Sequence, residues 1–403
     1  MRNNKLKIFA LASLMLSSFV ACTTNNNNSQ VGGNPSTGGN PISSVEEVEY
    51  TFNTYSNPLT VTRASGSTYT EEVADPTVVR GDDGLLYCVS TDRRMLSSED
   101  GCNWTLVSDS IISLPQWGKE IYGNQNGHLW APDLVKIQDK WIYYYSLSVW
   151  GQAAGIGYAV ADDIAGPYTD MGKLFNLNEI GVGNCIDPQV FVDTDGSVYM
   201  TVGSFQGCYL IQLTDDGMAC ETSVEYQKEH KELIAGKGGP NWDGAQYEGG
   251  YIIEQDGLYY YFGSAGTCCQ GQDSTYTVWV GIADNVHGPY VGKNGISMAM
   301  SGSGKTYGEI ALWAGTAKDK DVVGPGHNSI FVDDAGDWWI YYHAYSRADN
   351  FQTRHLFMDK IAFDDQGYPH TSFVYEDDNG EEKTVIKKPS FEVELEGPRF
   401  IVE

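Results

Sequence analysis

Asp187-Pro-Gln-Val-Phe-Val192, then Asp195-Gly196, then Ser-Val-Tyr-Met-Thr-Val-Gly-Ser204 is the stretch on which the fold turns. A polar residue leads a short β-branched run, Asp-Gly makes a turn, and an aromatic run ends at serine. Asp-Gly between two β-prone runs is the strongest short-range hairpin signal. The pattern recurs from Asp75 through Asp83-Gly84 to Ser90 and from Asp133 through Asp139-Lys140 to Ser146. It returns from Glu248 through Asp256-Gly257 to Ser264, and from His327 through Gly336 to Ser346. The five leading residues are 58, 54, 61 and 79 positions apart. Such a period leaves room for two further strands per unit, as in the four-stranded blade of a β-propeller. An all-β, five-bladed propeller is therefore predicted. Asp75, Asp133, Asp187, Glu248 and His327 would then stand at matching heights around one axis, as a carboxylate-rich ring.

Around this core the composition is that of an exported globular protein. The chain has 403 residues, 46 of them Gly, with 41% hydrophobic and 19% charged residues, which excludes a disordered or coiled-coil protein. Its net charge of −28 repels phosphate backbones and sets nucleic acid aside as a partner. Residues 1–21 carry Arg2, Lys5 and Lys7 before an apolar run, the pattern of a signal peptide. Ser-Phe-Val-Ala-Cys22 resembles a lipoprotein cleavage site, so Cys22 is expected to be acylated, with residues 22–44 as a flexible tether to the bacterial cell envelope, periplasmic or at the cell surface. Residues 45–69 read as a lead-in, 70–375 as the propeller, and 376–403 as a final strand pair or tail. A monomer with no membrane contact beyond the lipid is expected. The seven later cysteines show no Cys-x-x-Cys spacing, so structural zinc is not expected, and adjacent Cys268 and Cys269 read as packed wall.

Carboxylates gathered in a channel suit glycosidic hydrolysis, which needs one protonated acid at the leaving oxygen and one ionised partner across the bond. A third carboxylate can keep the acid protonated, since like charges raise a neighbour's pKa. The rival uses are calcium binding and sugar recognition without turnover. No Gly-x-Ser-x-Gly, P-loop or His-Glu-x-x-His motif is present.

Six segments then carry a family resemblance: Ala74-Asp75-Pro76, Trp130-Ala131-Pro132-Asp133, Asn184-Cys185-Ile186-Asp187-Pro188, Tyr247-Glu248-Gly249-Gly250, Cys268 to Tyr276, and Gly324-Pro325-Gly326-His327-Asn328-Ser329. In this order they resemble glycoside hydrolase family 43, and within it the endo-1,5-α-L-arabinanases. The resemblance implies an inverting hydrolase acting on arabinan. It assigns Asp75 as general base, Glu248 as general acid, and Asp187 as the residue that raises the pKa of Glu248 and orients it. It also implies that His327 holds a hydrated calcium ion. Trp130, Gly151, Asn184, Cys185, Ile186, Ser204 and Phe205 would meet the sugar. An exo-acting arabinofuranosidase or xylosidase of the same family, or a non-catalytic sugar-binding propeller, are the alternatives. Glu248-Gly249-Gly250 departs from the Glu-Ala-Pro of many members without removing a reacting group, and residues 236–243 and 302–321 could reshape the ends of the cleft.

Overall fold

The second strand of every unit is apolar along almost its whole length, and its surroundings explain why. Leu86–Ser90, Lys140–Ser148, Val198–Val202, Leu258–Ala265 and Trp338–Ser346 are buried at nearly every position, because each lies mid-blade with a neighbouring blade against both faces. The molecule is mostly β and is a five-bladed propeller. The computed structural model describes residues 48–123, 127–152, 155–238, 247–314, 320–377 and 379–402. The expected signal peptide, Cys22 and the tether lie outside the described residues.

The innermost strands, Thr77–Arg80, His128–Ile137, Gln189–Val192, Tyr247–Gln255 and Val322–Val332, neighbour one another in a closed ring. Each starts an antiparallel meander running outward; the second, third and fourth sheets have four strands and the first and fifth have five. Five apolar clusters fill the five gaps between neighbouring blades. The core is thus divided among the interfaces. At the hairpin turn of the fourth blade, Asp256 and Gly257 take φ of 55° and 81°, the positive pair that a tight hairpin needs.

The blade sheets reach beyond residues 70–375. Thr60–Arg63 adds in parallel to the outer strand Asn103–Ser108 of the first blade, and Glu382–Ile386 adds to Pro369–Glu376 of the fifth. The last residues do not pair with each other. Leu395–Glu396 joins Thr54–Tyr55, and Phe400–Ile401 joins Tyr50–Thr51.

The repeat has a different register from the one predicted. Asp75, Ala131, Asp187, Gly249 and His327 all take a left-handed conformation, with φ between 40° and 61°, and they mark the equivalent point in each blade. Glu248 lies one residue before that bend and Asp133 two after it. In three blades a bulge interrupts the inner strand at this place, which re-aims the side chains around it.

Two rings of hydrogen bonds follow from the bend. Each bend N–H donates to a side chain of the preceding blade: Asp75 to His343 Nδ1, Ala131 to Thr91 Oγ1, Asp187 to Ser146 Oγ, Gly249 to Asp187 Oδ2 and His327 to Ser264 Oγ. Two residues later a side chain latches onto the following blade. Thr77 Oγ1 donates to Pro132 O, Asp133 Oδ2 accepts from Val190 N, Gln189 exchanges two bonds with the Ile252 backbone, Tyr251 OH donates to Ile330 O, and Ser329 Oγ accepts from Val78 N.

Candidate active site

Four of the five expected ring residues, Asp75, Asp187, Glu248 and His327, line one cavity of about 210 Å³ at the inner end of the blades. Asp133 does not belong to it. Two residues past the bend, Asp133 turns into the joint between the second and third blades, where its Oδ2 accepts the Val190 N–H at 2.7 Å.

Asp75 is surrounded by positive and donating groups. Its carboxylate accepts the Thr91 hydroxyl proton, and its Oδ1 lies 3.3 Å from His327 Nδ1 and 3.6 Å from an Arg354 nitrogen. Because Thr91 Oγ1 already accepts the Ala131 N–H at 2.9 Å, its single proton is committed to Asp75. Burial alone would raise the pKa of Asp75, but His327 and Arg354 outweigh it and hold the carboxyl well below its usual range. Arg354 is itself fixed by two bonds to Glu72, of 2.7 and 2.9 Å.

Glu248 is in the opposite condition. Burial first, and the nearby Asp187 second, push its carboxyl well above its usual range. Oε2 accepts from Ser204 Oγ at 2.6 Å, and Ser204 in turn accepts from Asn184 Nδ2 at 3.0 Å. Oε1 is buried with no partner among the described residues. With Oε2 used as an acceptor, Oε1 is the oxygen left to carry the proton. Asp187, raised to about 6 by burial and by Asp75, is partly relieved by His327 and by the Gly249 N–H at 3.1 Å.

A second cavity, of about 430 Å³, adjoins the first and shares Trp130, Trp150, Ile186, Glu248 and Cys268 with it. Gly151, Asn184, Ser204 and Phe205 line this second space, so six of the seven expected sugar contacts face the groove. Cys185 does not. It is wholly buried among Ile180, Val182 and Met200, because Asn184 and Ile186 on either side take the groove-facing directions. Trp150 was not foreseen; it is 76% exposed and meets Trp130 edge to face at 6.4 Å. Thr91, Arg354 and His343 were missed as well. Of these only His343 had a sequence signal, its place in the fifth aromatic run.

The calcium expectation rests on His327 alone. Calcium takes six to eight oxygen ligands, and no group of three or more His, Cys, Asp or Glu among the described residues could hold a metal ion. His327 Nδ1 faces Asp75. A hydrated ion at His327 would take most of its ligands from water, and no step below passes through a metal.

The sequence profile of Glycosyl hydrolases family 43 matches residues 68–369. The chain belongs to glycosyl hydrolase family 43. It is 32% identical over 308 residues, 74% of this chain and 86% of the relative, to the extracellular exo-α-(1→5)-L-arabinofuranosidase ArbA of Cellvibrio japonicus. It is 31% identical over 289 residues, 70% of this chain and 82% of the relative, to the extracellular endo-α-(1→5)-L-arabinanase 1 of Bacillus subtilis. The solved structure of Cellvibrio cellulosa α-L-arabinanase complexed with arabinohexaose superposes with a TM-score of 0.65 at 30% identity, covering 75% of this chain and 96% of that one.

Proposed function

We propose that this family 43 glycosidase hydrolyses α-1,5-linked L-arabinofuranosyl chains with inversion, in a single displacement. The observation that carries the reading is the contrast within one cavity: Asp75 lies against the Thr91 hydroxyl, His327 and Arg354, which draw its carboxyl below the usual range, while Glu248 is buried near Asp187, which pushes its carboxyl above it. Titratable groups whose surroundings push their pKa values apart identify base and acid. Asp75 takes a proton from water as that water attacks the anomeric carbon. Glu248 delivers its proton to the departing oxygen, and Asp187 keeps that proton in place until it is needed. Trp130 and Trp150 offer faces on which sugar rings can rest.

Endo action is the preferred mode, because the catalytic cavity adjoins a second space that shares Glu248 with it and leaves room for further sugar units. Exo action is favoured by the Cellvibrio japonicus relative. The test is to incubate the protein with linear 1,5-α-arabinan and separate early products, alongside Glu248→Gln. A ladder of oligosaccharides, absent with the variant, supports endo cleavage with Glu248 as acid. A single short product shifts the mode to exo. No product from the unaltered protein overturns the reading in favour of binding without turnover.

A further inference from the structure

Cys268 and Cys269 stand in the wall of the catalytic cavity beside Glu248 and Arg354, and the proposed hydrolysis gives them no task. Adjacent residues of an extended chain point to opposite sides. Here Cys269 takes a left-handed φ of 60°, both side chains come to one side, and their sulfurs lie 2.6 Å apart. The other described cysteines, Cys88, Cys102, Cys185, Cys208 and Cys220, are all buried, whereas these two are half-exposed. The pair is also asymmetric. A hydrogen bond from Cys268 holds the Cys269 thiol below its usual range, with Arg354 helping against burial, while Cys268 is pushed up by that same bond and by burial. Cys269, on the Arg354 side, is therefore the readier nucleophile of the two.

We propose that a small-molecule disulfide oxidises Cys268 and Cys269 to a vicinal disulfide, and that the resulting ring forms a wall of the sugar subsite beside Glu248. The Cys269 thiolate attacks one sulfur of the oxidant and expels the first small thiolate. Cys268 then loses its proton and attacks Cys269 Sγ in the mixed disulfide, expelling the second. Two electrons pass to the oxidant, and the two cysteine protons end on the two released thiols. Adjacent Cα atoms sit about 3.8 Å apart, short of the usual span of about 4.4–6.8 Å across a disulfide, so this bond belongs to the labile kind that thiols reopen. Closure replaces two polar thiol groups in the cavity wall with a disulfide that carries no ionisable proton, a surface better suited to the apolar face of a sugar ring. This second half of the proposal rests on the arabinan reading.

The test compares protein treated with oxidised glutathione and with dithiothreitol. Each sample is labelled with iodoacetamide while folded, digested for mass spectrometry, and assayed on 1,5-α-arabinan, with Cys268→Ser and Cys269→Ser as controls. The expected oxidised peptide is lighter than the dithiol by two hydrogens and takes no label; the reduced one takes two labels, and its KM is severalfold higher. Cys269→Ser should be indifferent to the treatment, whereas Cys268→Ser, which lacks the resolving thiol, should keep one glutathione on Cys269; in the unaltered protein that adduct is transient. Two labels after oxidation, or glutathione retained on Cys269 of the unaltered protein, overturns the bond. An equal KM in two verified states overturns the wall. If neither state hydrolyses arabinan, that reading falls and the wall with it, while the mass difference still decides the bond.

Discussion

Glu248 offers two oxygens to its surroundings, and Ser204 takes only one of them. That arrangement makes two substitutions move the basic limb of the pH profile in opposite directions. The acid is active while protonated, so activity is lost as pH rises through its raised pKa. Asp187→Asn removes a charge that raises that pKa, and the limb should move to lower pH. Ser204→Ala removes a bond that lowers it, and the limb should move to higher pH while kcat falls about tenfold or more from lost orientation. Initial rates across pH for both variants check this, and shifts of the same sign would refute the assigned roles. On the acid side, Arg354→Met should raise the pKa of Asp75 and move the acid limb upward, since a positive neighbour that keeps the base ionised is gone. The carboxylates themselves were legible because each sits beside a short recurring motif. Arg354 was not, because it reaches Asp75 from 279 residues away in sequence through an outer segment that no pattern marks.

The inner strand gathers both tasks at its bend: residues at or just before it face the cavity, and those two positions after it face the next blade. Asp133 was placed in the catalytic ring by aligning the repeats on acidic residues. Aligning Asp75-Pro76 with Ala131-Pro132 and Asp187-Pro188 would have given the observed register, because the proline follows the bend in those blades whatever the bend residue is. As a latch, Asp133 is buried, and burial lifts its pKa to about 7 despite the bonds from Val190, Leu134 and Thr77. A folded pKa above the unfolded value of about 3.9 means that the stability it contributes is complete below about pH 3.9 and is lost as pH rises to about 7. Asn at this position keeps an acceptor for Val190 and has no proton to lose. Asp133→Asn should therefore raise the thermal midpoint relative to the unaltered protein more at pH 8 than at pH 5, by about 2–4 °C. Calorimetry at the two pH values checks it, and an equal difference at both would show that Asp133 carries no such linkage.

At the scale of the whole molecule the circle is closed by segments far apart in sequence. Asn57 donates to Met358 O and to Ser390 Oγ and accepts from Met358 N, all within 3.0 Å, so it ties the lead-in to both the last blade and the final segment. Asn57→Ala leaves buried backbone groups of Met358 without partners and should cost about 2–4 kcal/mol, read as a lower denaturant midpoint with the groove still able to turn over substrate below it. Neither this clasp nor the pairing of Phe400–Ile401 with Tyr50–Thr51 was legible, since two-residue strands carry no periodicity. Five blades were legible because a repeat announces itself by self-similarity, yet the joints between them are where the copies differ. Hydroxyl donor, carboxylate, carboxamide, phenol and hydroxyl acceptor follow in turn around the ring. Identical joints would let blades trade places, or let a sixth be admitted from another copy of the chain. Joints cut to different shapes, like the wards of a lock, accept one neighbour each, and the number and order of the blades are thereby spelled out a second time, in side chains.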